Sequence, residues 1–590
     1  MSAADDRRHE ACAPQERQAR TPAMTRHDGT VDLPPFDPQR IVNAPFPERV
    51  RLACLTWANA SPNLPSVMAL YWFKYLFPLI GGWAFWCSFN AGYPGFFSVG
   101  EWAFTNEAFK KAMVWSIFWE LAGFGCGWGP MNARFDPWFG GYRHFLRPGT
   151  TKLPLFRGAP LVGGDTRSWL DVVLYAATQL FLLRALVASQ VTPGLLYPIV
   201  FLIPAMAVLD KMLYLVCRAE HYFVVLVCMA FAAENDLWIS GAKLTWCFIW
   251  FWAATSKLNR HFPSVIQFMM NNGPFFPKVL KKRLFAHFPD DLRPSRFATL
   301  MAHFGTAVEY TIPVILIIGA GNRTATIAGL LLMTAFHGFI GTNNPNGMPV
   351  EWNILMIYGG IFLFGFHPEA RLAALTGMPA LLALLLFSLA VIPAVGNFFP
   401  SKVSFLLAMR YYAGNWAYNI WLIRKGSAGK LDELKKAADN VYVQLAKLVP
   451  DPIVLEVAKA NMCVSRFMHF EGRPLLEALP RAVDDIEDYE WYEGEVLGGM
   501  VLGWNFGDGH LNGEQLLRAI QPQCGFIEGE VRLVSVESQP LFGPTMHWRV
   551  YDAVQGLIAE GRTKLADYVD VQPFPTGRYA EALFYHGSID

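Results

Sequence analysis

Charge is scarce in this sequence. Only 16% of its 590 residues are Asp, Glu, Lys or Arg and 53% are hydrophobic, whereas a soluble domain carries roughly 25% charged residues. So apolar a chain reads as a polytopic membrane protein. Neither sign is in surplus, with 49 Lys and Arg against 48 Asp and Glu. There is therefore no basic stripe to meet nucleic acid, and no nucleic-acid partner is expected. The nine cysteines form no CxxC pair and no metal-ligand spacing. Cys126, Cys217, Cys228 and Cys247 sit in apolar runs as small core residues, and no metal site is expected. No apolar run begins before about Val67, so a cleavable signal peptide is not expected and the first span itself directs insertion. A repeat with a period of roughly 20 to 50 residues is also missing.

What the chain does have is apolar runs of spanning length. They lie at about 66–88, 110–128, 168–189, 194–214, 236–257, 298–319, 323–341, 350–366 and 374–397. A shorter run at 221–233 competes as a half helix, and counting it gives about ten spans. With ten, the basic loops (Arg134 to Arg167, Arg218, Arg260 to Arg296) all fall on one side. Both termini are then expected in the cytoplasm, with the chain in a bacterial inner membrane.

The predicted fold is an α-helical membrane bundle of about ten transmembrane helices with a C-terminal soluble α+β domain. Residues 1–64 read as a disordered tail leading into an interfacial segment, and 65–400 as the transmembrane domain. Residues 401–425, with Arg410, Tyr411, Tyr412, Trp416 and Trp421, read as a connector in the headgroup layer. Residues 426–590 read as a cytoplasmic domain with helices near 431–448, 453–468 and 474–487. Its strands are predicted at 530–537 and 548–554 and within 558–571, where Glu560-Gly561-Arg562 is the turn signal.

Ionisable residues at membrane depth are costly and usually face a bundle interior. Lys257 ends the tryptophan-rich span that carries Trp246, Trp250 and Trp252. His303, Glu309 and His337 fall at comparable depths in later spans when each residue advances 1.5 Å. A desolvated lysine can act as a base and a histidine can shuttle the proton, so Lys257, His303, Glu309 and His337 are the candidate catalytic set. Snorkelling of Lys257 to the headgroups and inter-helix pairing of the histidines are the competing structural readings. Six residues, about 240° of helix, separate His303 from Glu309, which places them on different faces. Glu120, Asp210, Trp252 and Glu351 are candidate substrate contacts. The glycines at 123 and 127 read as helix packing rather than a phosphate loop. Arg143, His144, Arg147 and Lys152 are candidate contacts for lipid headgroups. The acidic run from Asp484 to Glu495 reads as solvated surface, and Asn505 to His510 as a turn-rich loop.

The region 240–366 resembles the membrane part of vitamin K-dependent gamma-carboxylase and its bacterial horizontally transferred transmembrane (HTTM) relatives. The matching features are Ser256-Lys257-Leu258-Asn259 after the aromatic span, the Glu309 span with Pro313, and the Phe336-His337 span. The resemblance implies that Lys257 is a base acting on a reduced quinone cofactor, although Asn259 replaces the usual acidic residue. The whole chain also resembles an uncharacterised family of large bacterial multi-pass membrane proteins. Three functions follow as expectations: a membrane-embedded enzyme acting on a quinone or lipid, a transporter or lipid-handling protein with a mid-membrane ionisable site, or a scaffold recruiting partners through its C-terminal domain. Membrane lipids and a lipid-soluble small molecule are the expected partners.

Overall fold

The computed structural model describes residues 37–59, 65–125, 127, 141–232, 235–273, 275–343, 350–504 and 507–576. The tail up to residue 36, Cys126, the loop residues 128–140 and Asn505-Phe506 lie outside them.

Each predicted apolar run is mostly helical where it is described. Helices α1 (Phe46–Asn59), α2 (Asn106–Leu121), α3 (Trp169–Val187), α4 (Pro193–Leu209), α5 (Tyr222–Phe231) and α6 (Asn235–Ser256) come first. They are followed by α7 (Phe262–Asn272), α8 (Arg296–Ile318), α9 (Arg323–Gly341), α10 (Val350–Gly360, continued by a π-helical segment to Phe366) and α11 (Pro379–Phe398). Polar residues at the run boundaries start the helices by capping free N–H groups. Ser168 and Asp171 form a capping box at α3, Ser295 caps α8, and Asn322 caps α9.

Ten spans are not supported. Among the described residues four helices, α3, α8, α9 and α11, are long and apolar enough to cross a membrane. Their outward faces are lipid-like, with Leu180, Phe304 and Leu331 each about two-thirds exposed. Several of the other runs are apolar for a different reason, which is burial inside the protein. All but one of the ten residues of α5 are buried, α2 is sixteen residues long and buries even Lys111 and Glu120, and α6 is enclosed around Trp246 and Trp250. Composition cannot tell a helix solvated by lipid from one solvated by other helices.

The C-terminal domain is built on a five-stranded antiparallel sheet in the order β4-β3-β5-β6-β7. The strands are β3 (Tyr418–Arg424), β4 (Tyr489–Glu493), β5 (Val531–Val536), β6 (Thr545–Asp552) and β7 (Gly556–Lys564). A separate hairpin, β1 (Phe285–His287) and β2 (Asp291–Pro294), follows α7. The aromatic stretch expected in the headgroup layer contains β3, a strand paired on both sides. In β3, Ile420 pairs with both Glu493 and Val534, and six of its seven residues are buried. Tyr418, Ile420 and Leu422 face one core, while Trp421 and Ile423 face the core shared with the helical bundle. A strand buried on both faces loses the alternation that marks a strand in sequence. The turn expected at Gly561 is likewise mid-strand, opposite Trp548.

The segment read as interfacial near the N-terminus completes this domain. On α1, Phe46 packs edge-on against Trp491 at 4.9 Å, Arg49 pairs with Glu487 at 2.5 Å, and Trp57 stacks on Phe268 at 4.5 Å. The glycine stripe is also used differently from the helix packing expected of it. Helix α2 ends at Leu121, Gly123 turns the chain with φ +76°, and Gly127 lies against the indole of Trp504 in the C-terminal domain.

Candidate functional site

Helix α6 ends where three contacts pin the chain. Ser256 Oγ donates to Asn397 Oδ1 on α11 (2.5 Å), Asn259 Nδ2 donates to the Gln539 carbonyl (3.1 Å), and Asn259 Oδ1 accepts from Phe542 N–H (3.0 Å). The asparagine that stands where the resemblance has an acidic residue therefore ties the bundle to the C-terminal domain. Between these anchors Lys257 is buried and its Nζ donates to Glu309 Oε2 on α8. The rings of Phe262 and Phe336 flank the ammonium at 5.4 and 5.6 Å.

His337 is close by but engaged. Trp250 Nε1 donates to its Nε2 (2.9 Å), and its Nδ1 meets Asn353 Oδ1 (2.9 Å). An indole can only donate, so Nε2 is an acceptor and the ring proton sits on Nδ1. A histidine with both nitrogens taken does not shuttle protons; His337 fixes the wall formed by Trp250 and Asn353.

His303 does not join the group. It is exposed on the outside of α8, as the 240° offset from Glu309 implies. The depth comparison fails here because it starts every span at one level. The first half of α8 packs on α7, with Ala302 against Phe262 and Val265 and Ala298 against Met270, so Glu309 is the residue level with Lys257.

The candidate substrate contacts also separate. Asp210 is held by Arg167 (2.5 Å) and caps the helix after it through Met212 N–H (3.2 Å), a structural use. Trp252 points its N–H to the Leu389 carbonyl (2.8 Å), away from Lys257. Glu120 accepts from Trp352 Nε1 (2.7 Å) and lines, with Glu351, a second and smaller cavity of about 130 Å³. Lys152 is consumed by a buried pair with Asp171 (2.7 Å), which removes it from the headgroup contacts.

Lys257, Glu309 and His337 line one cavity of about 580 Å³. Met301, Gly305 and Glu309, spaced four apart on α8, form one wall, and Phe336 and Ile340 of α9 another. From there the cavity runs along α7 past Phe262, Val265 and Phe268 into the C-terminal domain, where Asn461, Ser465, Arg466, His469 and Glu495 line it. Arg466 Nε and Nη2 donate to Glu493 (2.7 Å) and Glu495 (2.5 Å). Burial pushes Glu495 up to about 7 against the pull of Arg466, and burial and the same guanidinium push His469 down to about 3. Two residues of the acidic run expected on the surface, Glu493 (buried) and Glu495 (half-buried), are thus partners of Arg466. The sequence did carry a signal. Helix α12 (Pro452–Met468) sets Asn461, Ser465 and, just past its end, His469 at spacings of four, a polar stripe beside buried Cys463, Val464 and Phe467.

The same domain holds a second buried polar network. Asp508 and His510, at the end of the turn-rich loop, meet Ser404 (2.5 Å) and Glu537 (2.9 Å). Glu471 accepts from Gln539 N–H (2.7 Å) and is pushed up to about 8 by burial. A carboxyl whose folded pKa is raised binds more protons folded than unfolded, so its contribution to stability is lost as pH rises towards the folded value. Glu471, Glu495 and His510, all raised, act in that direction, and His469 stays neutral above pH 6.5. The midpoint of thermal unfolding in detergent is therefore expected to fall between pH 6.5 and 8. Glu471 alone accounts for about 2 kcal/mol. Glu471→Gln reduces that slope, and an unchanged slope would refute the assignment.

Among the described residues no group of His, Cys, Asp or Glu is arranged to hold a metal ion. Residues 29–581 match a family described as "Transmembrane protein of unknown function (DUF3556)". No carboxylase or HTTM family matches, which removes the support for the resemblance around Lys257. No curated protein and no solved structure matches the chain.

Proposed function

The chain belongs to that DUF3556 family of transmembrane proteins, and from this premise we propose that it is a membrane-embedded enzyme that takes a lipid-soluble substrate from the bilayer into the aromatic cavity and works on it with the Lys257–Glu309 pair. The observation behind this reading is a buried ion pair in the wall of an apolar cavity bordered by two of the candidate spans. Its volume of about 580 Å³ suits a small-molecule site, which usually falls between roughly 300 and 1,000 Å³. Phe304 and Phe339, which line the cavity, are also exposed on the lipid-like outer surface, so an apolar substrate has a lateral way in.

In the ion-paired state Lys257 is a donor, and its lone pair is not available to a substrate. An apolar substrate filling the cavity expels water, and in a dry surrounding two opposite charges are costly. Passing the proton from Nζ to Glu309 neutralises both and frees the amine as a base. A lipid or a quinone are the substrate classes in view. A bacterial inner membrane stays the proposed location, but the orientation expected from ten spans does not carry over, because with four spans the basic residues before α3 and those between α6 and α8 fall on opposite sides.

A second reading, a lipid-handling protein or transporter, draws on the cavity's reach from the lipid-facing helices into the C-terminal domain. Flux in proteoliposomes without covalent change would favour it. The test of the enzymatic reading is untargeted lipid and quinone profiling of a deletion strain. One lipid-soluble species is expected to accumulate in it and to persist on complementation with Lys257→Ala. A wild-type profile from a folded Lys257→Ala protein would overturn the reading.

A further inference from the structure

We propose that the end of the cavity inside the C-terminal domain is a head-group subsite for an amphiphile whose polar end is uncharged and carries hydroxyl or carbonyl oxygens. This deepens the reading above and rests on the cavity being a substrate chamber.

Asn461, Ser465 and His469 follow one another at spacings of four, so they share one face over about 12 Å. Three polar atoms at this end of the cavity make no hydrogen bond among the described residues. His469 Nδ1 is bonded to Tyr418 Oη (2.7 Å) and its ring packs edge-on against Phe268 (4.9 Å), yet its Nε2 is bonded to nothing. Arg466 uses Nε and Nη2 on the two glutamates, leaving Nη1. Asn461 Oδ1 is buried without a hydrogen bond. Buried polar atoms are normally satisfied; Asn461 Oδ1 is not, and all three atoms belong to residues that line the same cavity. They offer both donors and acceptors.

The charge balance selects the class of head group. The Arg466 guanidinium is already matched by Glu493 and Glu495, and His469 is neutral, so no positive charge is left over for a carboxylate or phosphate. Nor are the carboxylates free for an ammonium group, since both accept from Arg466 and Glu493 Oε2 also accepts from Val496 N–H (3.0 Å). Of the two carboxylates on the one guanidinium, Glu495 is the one that burial pushes up towards its neutral form, so what remains is hydrogen-bonding capacity without net charge. The apolar part then lies along α7. Phe268 touches His469 and Phe262 faces Lys257, and the six-residue helical step from one to the other spans about 9 Å. The reacting part of the substrate is thereby placed roughly that far from its head group.

Three probes with the same chain, radiolabelled monooleoylglycerol, oleate and oleylamine, test this by equilibrium binding to the full-length protein in lipid nanodiscs. Monooleoylglycerol is expected to bind at least about tenfold more tightly than the other two. His469→Phe and Asn461→Leu are each expected to weaken it by a similar factor. Asn461 is only half-buried, so its variant keeps the test valid if His469→Phe fails to fold. Oleate or oleylamine binding as tightly, or saturable binding untouched by both variants, overturns the head-group assignment while sparing the chamber. Absence of saturable binding by every probe overturns both.

Discussion

Lys257→Met is expected to destabilise the protein by about 3–5 kcal/mol and to abolish its function, while Lys257→Met combined with Glu309→Leu recovers most of the stability and none of the function. The single change strands Glu309, which is buried and has Lys257 as its partner, and an uncompensated carboxylate in an apolar wall is among the costliest defects a fold can carry. The double change swaps the ion pair for apolar side chains of similar bulk, which is often neutral or stabilising. Denaturant unfolding in detergent reads the first quantity and the lipid profile of the complemented strain reads the second. Lys257→Arg separates two roles that the methionine variant merges. A guanidinium can still pair with Glu309 but does not give up its proton near neutral pH. This variant is therefore expected to stay folded and inactive. Function retained by the double variant, or by Lys257→Arg, would mean that the pair is structural.

How much of this was legible in the sequence depends on how rare each signal is in its surroundings. A lysine and a glutamate inside apolar runs stand out, and the structure pairs them. The partner of a charge is harder to read, because it depends on where each helix begins relative to its neighbours. The first half of α8 lies on α7 rather than beside α6, so His303 is outside and Glu309 is the residue that meets Lys257. Trp252 and Trp250 are indistinguishable by type, and only the facing of α6 sends one to Leu389 and the other to His337. The head-group stripe on α12 is hidden for the opposite reason. Polar residues are cheap in a soluble domain, so Asn461, Ser465 and His469 do not look exceptional until the cavity is seen to reach them. The same ambiguity of solvent lies behind the count of spans and behind β3, whose aromatic run looks like a membrane-interface segment and is a strand packed on both faces.

Gly305→Trp gives the sharpest test of the chamber, because it should remove function without removing stability. Gly305 lies one turn from Glu309 on the cavity face of α8, and a Cβ added there meets no atom within 4 Å. Replacing a helical glycine with a larger residue also improves helix propensity by up to about 1 kcal/mol, so the unfolding midpoint is expected to stay level or to rise. An indole projecting from this position competes with the substrate for the same volume. Forcing a ligand against it costs about 1–3 kcal/mol, or roughly 10- to 100-fold in affinity. Monooleoylglycerol binding should weaken by at least that factor, and the complemented strain should show the lipid profile of the deletion. The smaller Gly305→Ala occupies little of the space and should behave as wild type, which makes the effect one of volume and not of losing a flexible residue. If Gly305→Trp folds and binds as the parent does, the ligand does not pass this wall. The Lys257–Glu309 pair would then be an interior strut, with no substrate chamber in front of it.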